Sequence, residues 1–221
     1  MQHLSKSPVR STRRKLIEAG VELMRARGFN GTTVDDICQA AGVTKGGFFH
    51  YFESKEEVAE VALATFDEAR NELYRQASFR QVAEPLERVF GRLDFDRELI
   101  EAGTSKGCLA GMLAQELAAS RKEFRSPCHD FFARRADDFA ADLTAAKTAH
   151  APQADFEPRS VATFYLAIVQ GSHILAKTSG DSEVRLENLE HFRAYLRGLF
   201  GVADGRGKKR RVGAAGAARR N

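Results

Sequence analysis

Apolar positions recur at three-to-four-residue spacing along almost the whole chain, which predicts amphipathic helices rather than strands. The pattern starts at Ser11, with Leu16, Ile17, Val21, Leu23 and Met24 on one face. Gly28 follows, suited to a left-handed helix end, and Asn30-Gly31 makes a turn. Thr32 or Thr33 caps a second helix, Val34–Ala41, whose first turn carries Asp35 and Asp36, where the helix dipole favours acids. Gly42-Val43 is a tight turn. Thr44 then caps a third helix running to about Phe52, with Phe48, Phe49 and Phe52 expected to pack inward. Ser54 caps a fourth, with Glu56 and Glu57 in its first turn and Val58, Val61, Ala62, Phe66 and Leu73 on its apolar side.

Beyond Gln81 the helical period continues. Leu86, Val89, Phe90, Leu93, Leu99 and Ile100 form a broken amphipathic stretch, interrupted by Gly103 to Gly107. A short apolar helix spans Cys108 to Ala119. A long one spans Glu123 to Lys147, with Phe124, Phe131, Phe132, Phe139 and Leu143 along one side. After a polar loop with two prolines come a markedly apolar helix, Arg159 to Ser179, and a last helix carrying Leu186, Leu189, Phe192, Leu196, Leu199 and Phe200. The reading is all-α, with about nine helices and no strand. It divides the chain into an unstructured start (1–9), a compact helical unit (10–55), a larger helical unit (56–201) and a basic tail without core-forming residues (202–221).

Charge sharpens this division. Net charge is +4 overall, but residues 1–55 carry +4, residues 56–200 carry −6 and residues 201–221 carry +6. Basic ends suit a polyanionic partner, and Arg206, Lys208, Lys209, Arg210 and Arg211 in the tail can add salt-dependent affinity for phosphate. No run of eighteen apolar residues offers a membrane span, and the N-terminus lacks the apolar centre of a secretory signal, so a cytoplasmic protein is expected. Three scattered cysteines (Cys38, Cys108, Cys128) suit reduced thiols rather than a disulfide frame. No nucleophile elbow, phosphate-cradling loop, dinucleotide fingerprint or metal-type His/Cys spacing is present, so neither an enzyme nor a cofactor or metal is expected.

The segment Thr32–Lys55 has the parts of a helix-turn-helix. Val34, Ile37 and Ala41 supply packing for its second helix, and Gly42 supplies the turn. The third helix offers a small, polar face, Thr44, Lys45, Gly46, Gly47 and His50, of the kind that fits a major groove. Two glycines in so short a helix make sense if its backbone approaches something closely. The string TTVDDICQAAGVTKGGFFHYFESKEEV resembles the DNA-binding domain of the tetracycline-repressor (TetR) family, and the likeness runs from about Arg13 to Phe66. Cys38 stands where the family usually has Ala. Phe49 stands where it usually has Tyr, whose hydroxyl touches phosphate, so one backbone contact fewer is expected. The resemblance implies that Thr33, Thr44, Lys45, Gly46, Gly47, His50, Tyr51 and Lys55 face DNA, with Thr44 and Lys45 toward base edges and Thr33, Tyr51 and Lys55 toward phosphate.

It also implies a C-terminal unit that binds a small effector and dimerises. Phe90, Cys108, Met112, Phe124, His129, Phe132, Phe164, Tyr165 and His173 are the expected pocket residues, with Phe131 nearby. The last two helices are the expected dimer interface, through Phe164, Ile168, Leu175, Leu189, Phe192 and Leu196. The stretch from Lys106 to Leu117, with Ala176-Lys177, is further similar to an electrophile-sensing branch, in which Cys108 reacts and Lys177 lies close. A cysteine at a helix N-terminus beside Lys106 favours the thiolate. The expected function is a homodimeric, sequence-specific repressor of a pseudopalindromic DNA operator, released by a small molecule or by thiol modification. A non-specific architectural DNA-binding protein and an activator on the same fold are the alternatives.

Overall fold

The computed structural model describes residues 8–104 and 107–202. Among them are nine α-helices and no strand: α1 (Pro8–Arg27), α2 (Val34–Ala41), α3 (Lys45–Phe49), α4 (Lys55–Arg75), α5 (Pro85–Glu101), α6 (Leu109–Leu117), α7 (Lys122–His150), α8 (Pro158–Ser179) and α9 (Glu183–Phe200). A single 3-10 turn, Ser78–Gln81, links α4 to α5. No helix among the described residues is long and apolar enough to cross a membrane. Pro8 and Val9 are already helical, three residues ahead of the expected start. The lysine at 106 and the tail arginines and lysines lie outside the described residues.

Short-range polar bonds set the ends of the first helices. Thr33 caps α2 through a reciprocal box: its hydroxyl accepts from Asp36 N at 3.1 Å, while the Asp36 carboxylate accepts from Thr33 N at 2.9 Å. Thr32 is instead buried, its hydroxyl donating to Gly28 O at 2.8 Å. Gly42 closes α2 in the left-handed region at φ 65°. The third helix ends at Phe49 rather than Phe52. Beyond it, Tyr51 N and Phe52 N both bond back to Phe48 O.

Two cores hold the molecule. The first gathers α1–α4 around Leu16, Met24, Ile37, Phe48, Phe52 and Val58, and it does not stop at residue 55. Leu109, Leu113 and Leu117 of α6, and Phe124 and Phe131 of α7, belong to it as well. The second joins α5, the later half of α7, α8 and α9 around Leu93, Phe139, Leu143, Phe192 and Leu196. Because α7 is long enough to run through both, it couples them mechanically. An ion-pair ladder ties the 3-10 turn and α5 to α7: Arg80 and Arg88 both reach Asp142, at 3.2 and 2.8 Å, and Arg92 reaches Asp138 at 2.7 Å.

Candidate functional site

The outer surface of the first core is built by α2 and α3. Thr44 caps α3, accepting from Gly47 N at 3.1 Å. Lys45, Gly46, Phe49 and His50 follow it into solvent, with Gly47 and Tyr51 half-buried. Lys45 pairs with Asp35 on α2 at 3.0 Å, and both side chains are mostly exposed, so a phosphate or base edge can take the ammonium at little cost. The two glycines differ. A Cβ on Gly46 would stand in open space, whereas one on Gly47 would lie 2.8 Å from Val43 Cγ1, so internal packing accounts for Gly47 alone.

Two expectations here need correction. Phe49 does not pack inward but is 52% exposed, because the helix ends there and only Phe48 and Phe52 share the inner side. Lys55 does not leave its ammonium wholly open for phosphate: two of its three N–H groups are spent inside the fold. It donates to Phe29 O at 2.9 Å and Thr32 O at 2.8 Å, and lies 3.9 Å over the Phe29 ring. Burial also lowers its pKa. Lys55 braces the turn before α2 by giving its Phe29 and Thr32 carbonyls a charged donor.

Behind this unit, the helices of the larger half enclose a cavity of about 900 Å³, its mouth included. Of the residues named for an effector pocket, Cys108, Phe132, Tyr165 and His173 line it. Met112 lines a neighbouring recess that shares Cys108 and His173 with the first and also receives Lys177. Phe90, Phe124, His129 and Phe164 line neither. Phe124 is wholly buried against Phe29 in the first core. Phe90 packs on the second core under Arg193. His129 is on the outer face of α7, and Phe164 is 46% exposed. Aromatic spacing marks a helix face without saying which of two cores that face meets.

Reading for aromatics also missed the polar wall. Arg70 and Tyr74 come from α4, Arg92 and Asp96 from α5, Arg135 from α7 and Arg185 from α9. Asp96 accepts from both the Tyr74 and Tyr165 hydroxyls, and burial first, then the Asp96 charge, holds both phenols protonated. Arg92 and Asp96 were legible in one respect: they continue the buried Val89–Leu93 stripe at helical spacing, where charges are rare unless they face something. His173 is pushed down to about 4, chiefly by burial and then by the charges of Arg185, Arg70 and Arg25, so it is neutral at pH 7.

The cavity touches the unit built by α1–α3 directly. Arg25 of α1 lines it and donates to Gly107 O at 3.3 Å. On α6, Glu116 accepts from Asn30 N at 2.7 Å and lies against Gly28, where a Cβ would come within 2.0 Å of its carboxylate. Gly28 is fixed by its φ of 83°, while the flexible Glu116 carboxylate can move aside.

The surroundings of Cys108 bear on the thiol expectation. Cys108 caps α6, but burial raises its pKa, outweighing the bond from Gly111 N–H and the contact with Gln170. The Lys177 ammonium sits 4.0 Å from Met112 Sδ. Cys128 is pushed up to about 11 by burial and then by Cys108. At the far side, Leu189, Phe192 and Leu196 are interior to the subunit, and Ile168 faces the cavity. Phe164 and Leu175 remain on the surface, with Ile174 on α8 and Tyr195 on α9 beside them; the Phe164 and Tyr195 rings are 5.4 Å apart.

Comparison with known proteins fits this arrangement. Residues 16–62 match the model of bacterial regulatory proteins of the tetR family, and residues 84–190 match the C-terminal domain of LmrA/YxaF-like transcriptional regulators. The chain belongs to the TetR family. It is 27% identical over 180 residues to the HTH-type transcriptional repressor DhaR of a Mycobacterium species, covering 81% of this chain and 88% of that protein. It is 34% identical over 113 residues to the transcriptional regulator AcuR of Cereibacter sphaeroides, spanning about half of each (50% and 51%). The crystal structure of regulatory protein TetR from Rhodobacter sphaeroides superposes with a TM-score of 0.73 at 26% identity, over 86% of this chain and 98% of that one. TetR-family proteins bind DNA, are typically dimers and regulate transcription; this chain is a regulator and not an enzyme.

Proposed function

We propose that this TetR-family protein is a homodimeric repressor that reads a pseudopalindromic operator with α3 and leaves it when a small molecule fills the cavity. The observation that carries the reading is the exposed, capped, glycine-bearing α3 on the same core as α6, whose other end forms the cavity rim. Thr44, Lys45, Gly46 and His50 are the groups for groove contacts, with Thr33, Gly47 and Tyr51 at the phosphate edge. The Phe164, Ile174, Leu175 and Tyr195 surface is the proposed dimer contact. An apolar surface on two adjacent helices supports pairing across a twofold axis, which sets the recognition helices roughly 34 Å apart.

Release by effector has more support than release through Cys108. The cavity reaches α1 through Arg25, whereas burial raises the pKa of the Cys108 thiol and so disfavours its thiolate. Two measurements test the reading. Footprinting of genomic fragments is expected to protect discrete palindromes; uniform coverage would favour an architectural role. Gly46→Ala is expected to leave the fold at least as stable, since the Cβ meets nothing, yet to weaken operator binding roughly tenfold by holding the backbone off the groove. Unchanged affinity in that variant removes α3 backbone approach from the model.

A further inference from the structure

The chemistry of the cavity wall goes beyond the presence of a pocket and names a class of ligand; this inference rests on the effector reading above. Most effector-sized cavities are lined by apolar groups with a few polar ones. Here the lining includes five guanidinium groups, from Arg25, Arg70, Arg92, Arg135 and Arg185, against a single carboxylate, Asp96. That carboxylate already accepts from two tyrosine hydroxyls, so it is a poor partner for an incoming cation. Arg135 Nη2 is buried with no hydrogen-bond partner among the described residues, although the same guanidinium reaches Asp67 at 3.3 Å and Asn71 at 3.0 Å. A buried donor of this kind costs free energy until an acceptor arrives. The remaining wall is apolar, with Leu99, Ile100, Leu166 and Val169.

We propose that the cavity takes a small organic carboxylate, its charge received by Arg70, Arg135 and Arg185 and its hydrocarbon body laid against Leu99, Ile100 and Leu166. A guanidinium fork matches a carboxylate in shape and charge, and the bond strengthens where water is excluded. The local field agrees. Burial is the chief cause that keeps His173 neutral, and the charges of Arg185, Arg70 and Arg25 add to it, which marks that region as positive. Arg25 is both part of this wall and a residue of α1 bonded to Gly107 O, so an anion that draws its guanidinium inward loosens a contact between the cavity rim and the DNA-facing unit.

Matched pairs test the class. Octanoate, benzoate and cinnamate, each beside its primary amide, are titrated at millimolar concentration into the full chain, with binding read by calorimetry and by the melting temperature. At least one acid is expected to bind and raise the melting temperature while its amide does not. Arg70→Met is expected to weaken that acid roughly tenfold or more, as loss of a charge-assisted bond predicts, with Arg70→Lys retaining part of the affinity. Arg185→Met gives the same readout should Arg70→Met fail to fold. Equal or tighter binding by the amides overturns the proposal, and so does failure of every acid to bind. Operator release is followed separately. An acid that binds without releasing DNA keeps the ligand class and overturns the effector reading, whereas an amide that releases DNA does the reverse.

Discussion

The DNA-facing unit and the cavity-bearing half are both helical, yet they are held in different ways. Around α2 and α3 the decisive bonds are local: Thr33 with Asp36, Thr44 with Gly47 and Ser54 with Glu57, each three residues apart. In the larger half they are distant in sequence. Arg80 and Arg88 converge on Asp142, Arg92 meets Asp138, and two tyrosines from α4 and α8 meet at Asp96. A surface that must be presented rigidly to DNA is set by caps that form with the helix itself. The cavity, the proposed effector site, is framed by side chains from six helices.

The largest expected effect breaks the distant network. Asp142→Ala leaves Arg80 and Arg88 without their shared acceptor in a mostly buried position. It should cost about 3 kcal/mol in chemical denaturation, as removing one partner of a buried pair does. A loss no greater than that of an exposed Asp→Ala change would show that the ladder holds little.

Acid should act next, and on the same half. His173 titrates near 4 in the folded chain against 6.5 ordinarily, so between these values the unfolded chain binds a proton that the folded one does not. Stability is therefore full above about pH 6.5 and falls as pH drops toward 4, by about 3 kcal/mol. His173→Phe should flatten that slope, and an unchanged slope would place the acid sensitivity elsewhere.

The smallest effect falls on the local unit. Thr33→Ala removes the α2 capping box and should cost about 1 kcal/mol, while Thr33→Ser restores most of it. If Thr33→Ala matched Asp142→Ala in cost, the contrast between locally and distantly held regions would fail.

The same contrast explains what could be read in advance. α2 was legible to the residue, Val34–Ala41, because its cap, its first-turn acids and its closing Gly42 lie within ten positions. The outward turn of Phe49 was not, because it depends on where α3 stops. Lys55 carried the right charge for phosphate, but Phe29 O and Thr32 O, more than twenty residues upstream, hold its ammonium. Of the residues that the resemblance implied for a pocket, Cys108, Phe132, Tyr165 and His173 line the cavity, while Phe90 and Phe124 went to the cores.

The sequence by itself determined the helical class, the order of the helices, the capped α2–turn–α3 unit and its family, since periodicity and capping are written in neighbouring residues. Only the tertiary structure decided which apolar faces meet each other, that α6 and the start of α7 belong to the DNA-facing core, and that arginines from five helices converge on one cavity. Those outcomes depend on packing between segments up to about a hundred residues apart, such as Arg193 with Asp94, and the periodicity of one helix carries no information about its partner.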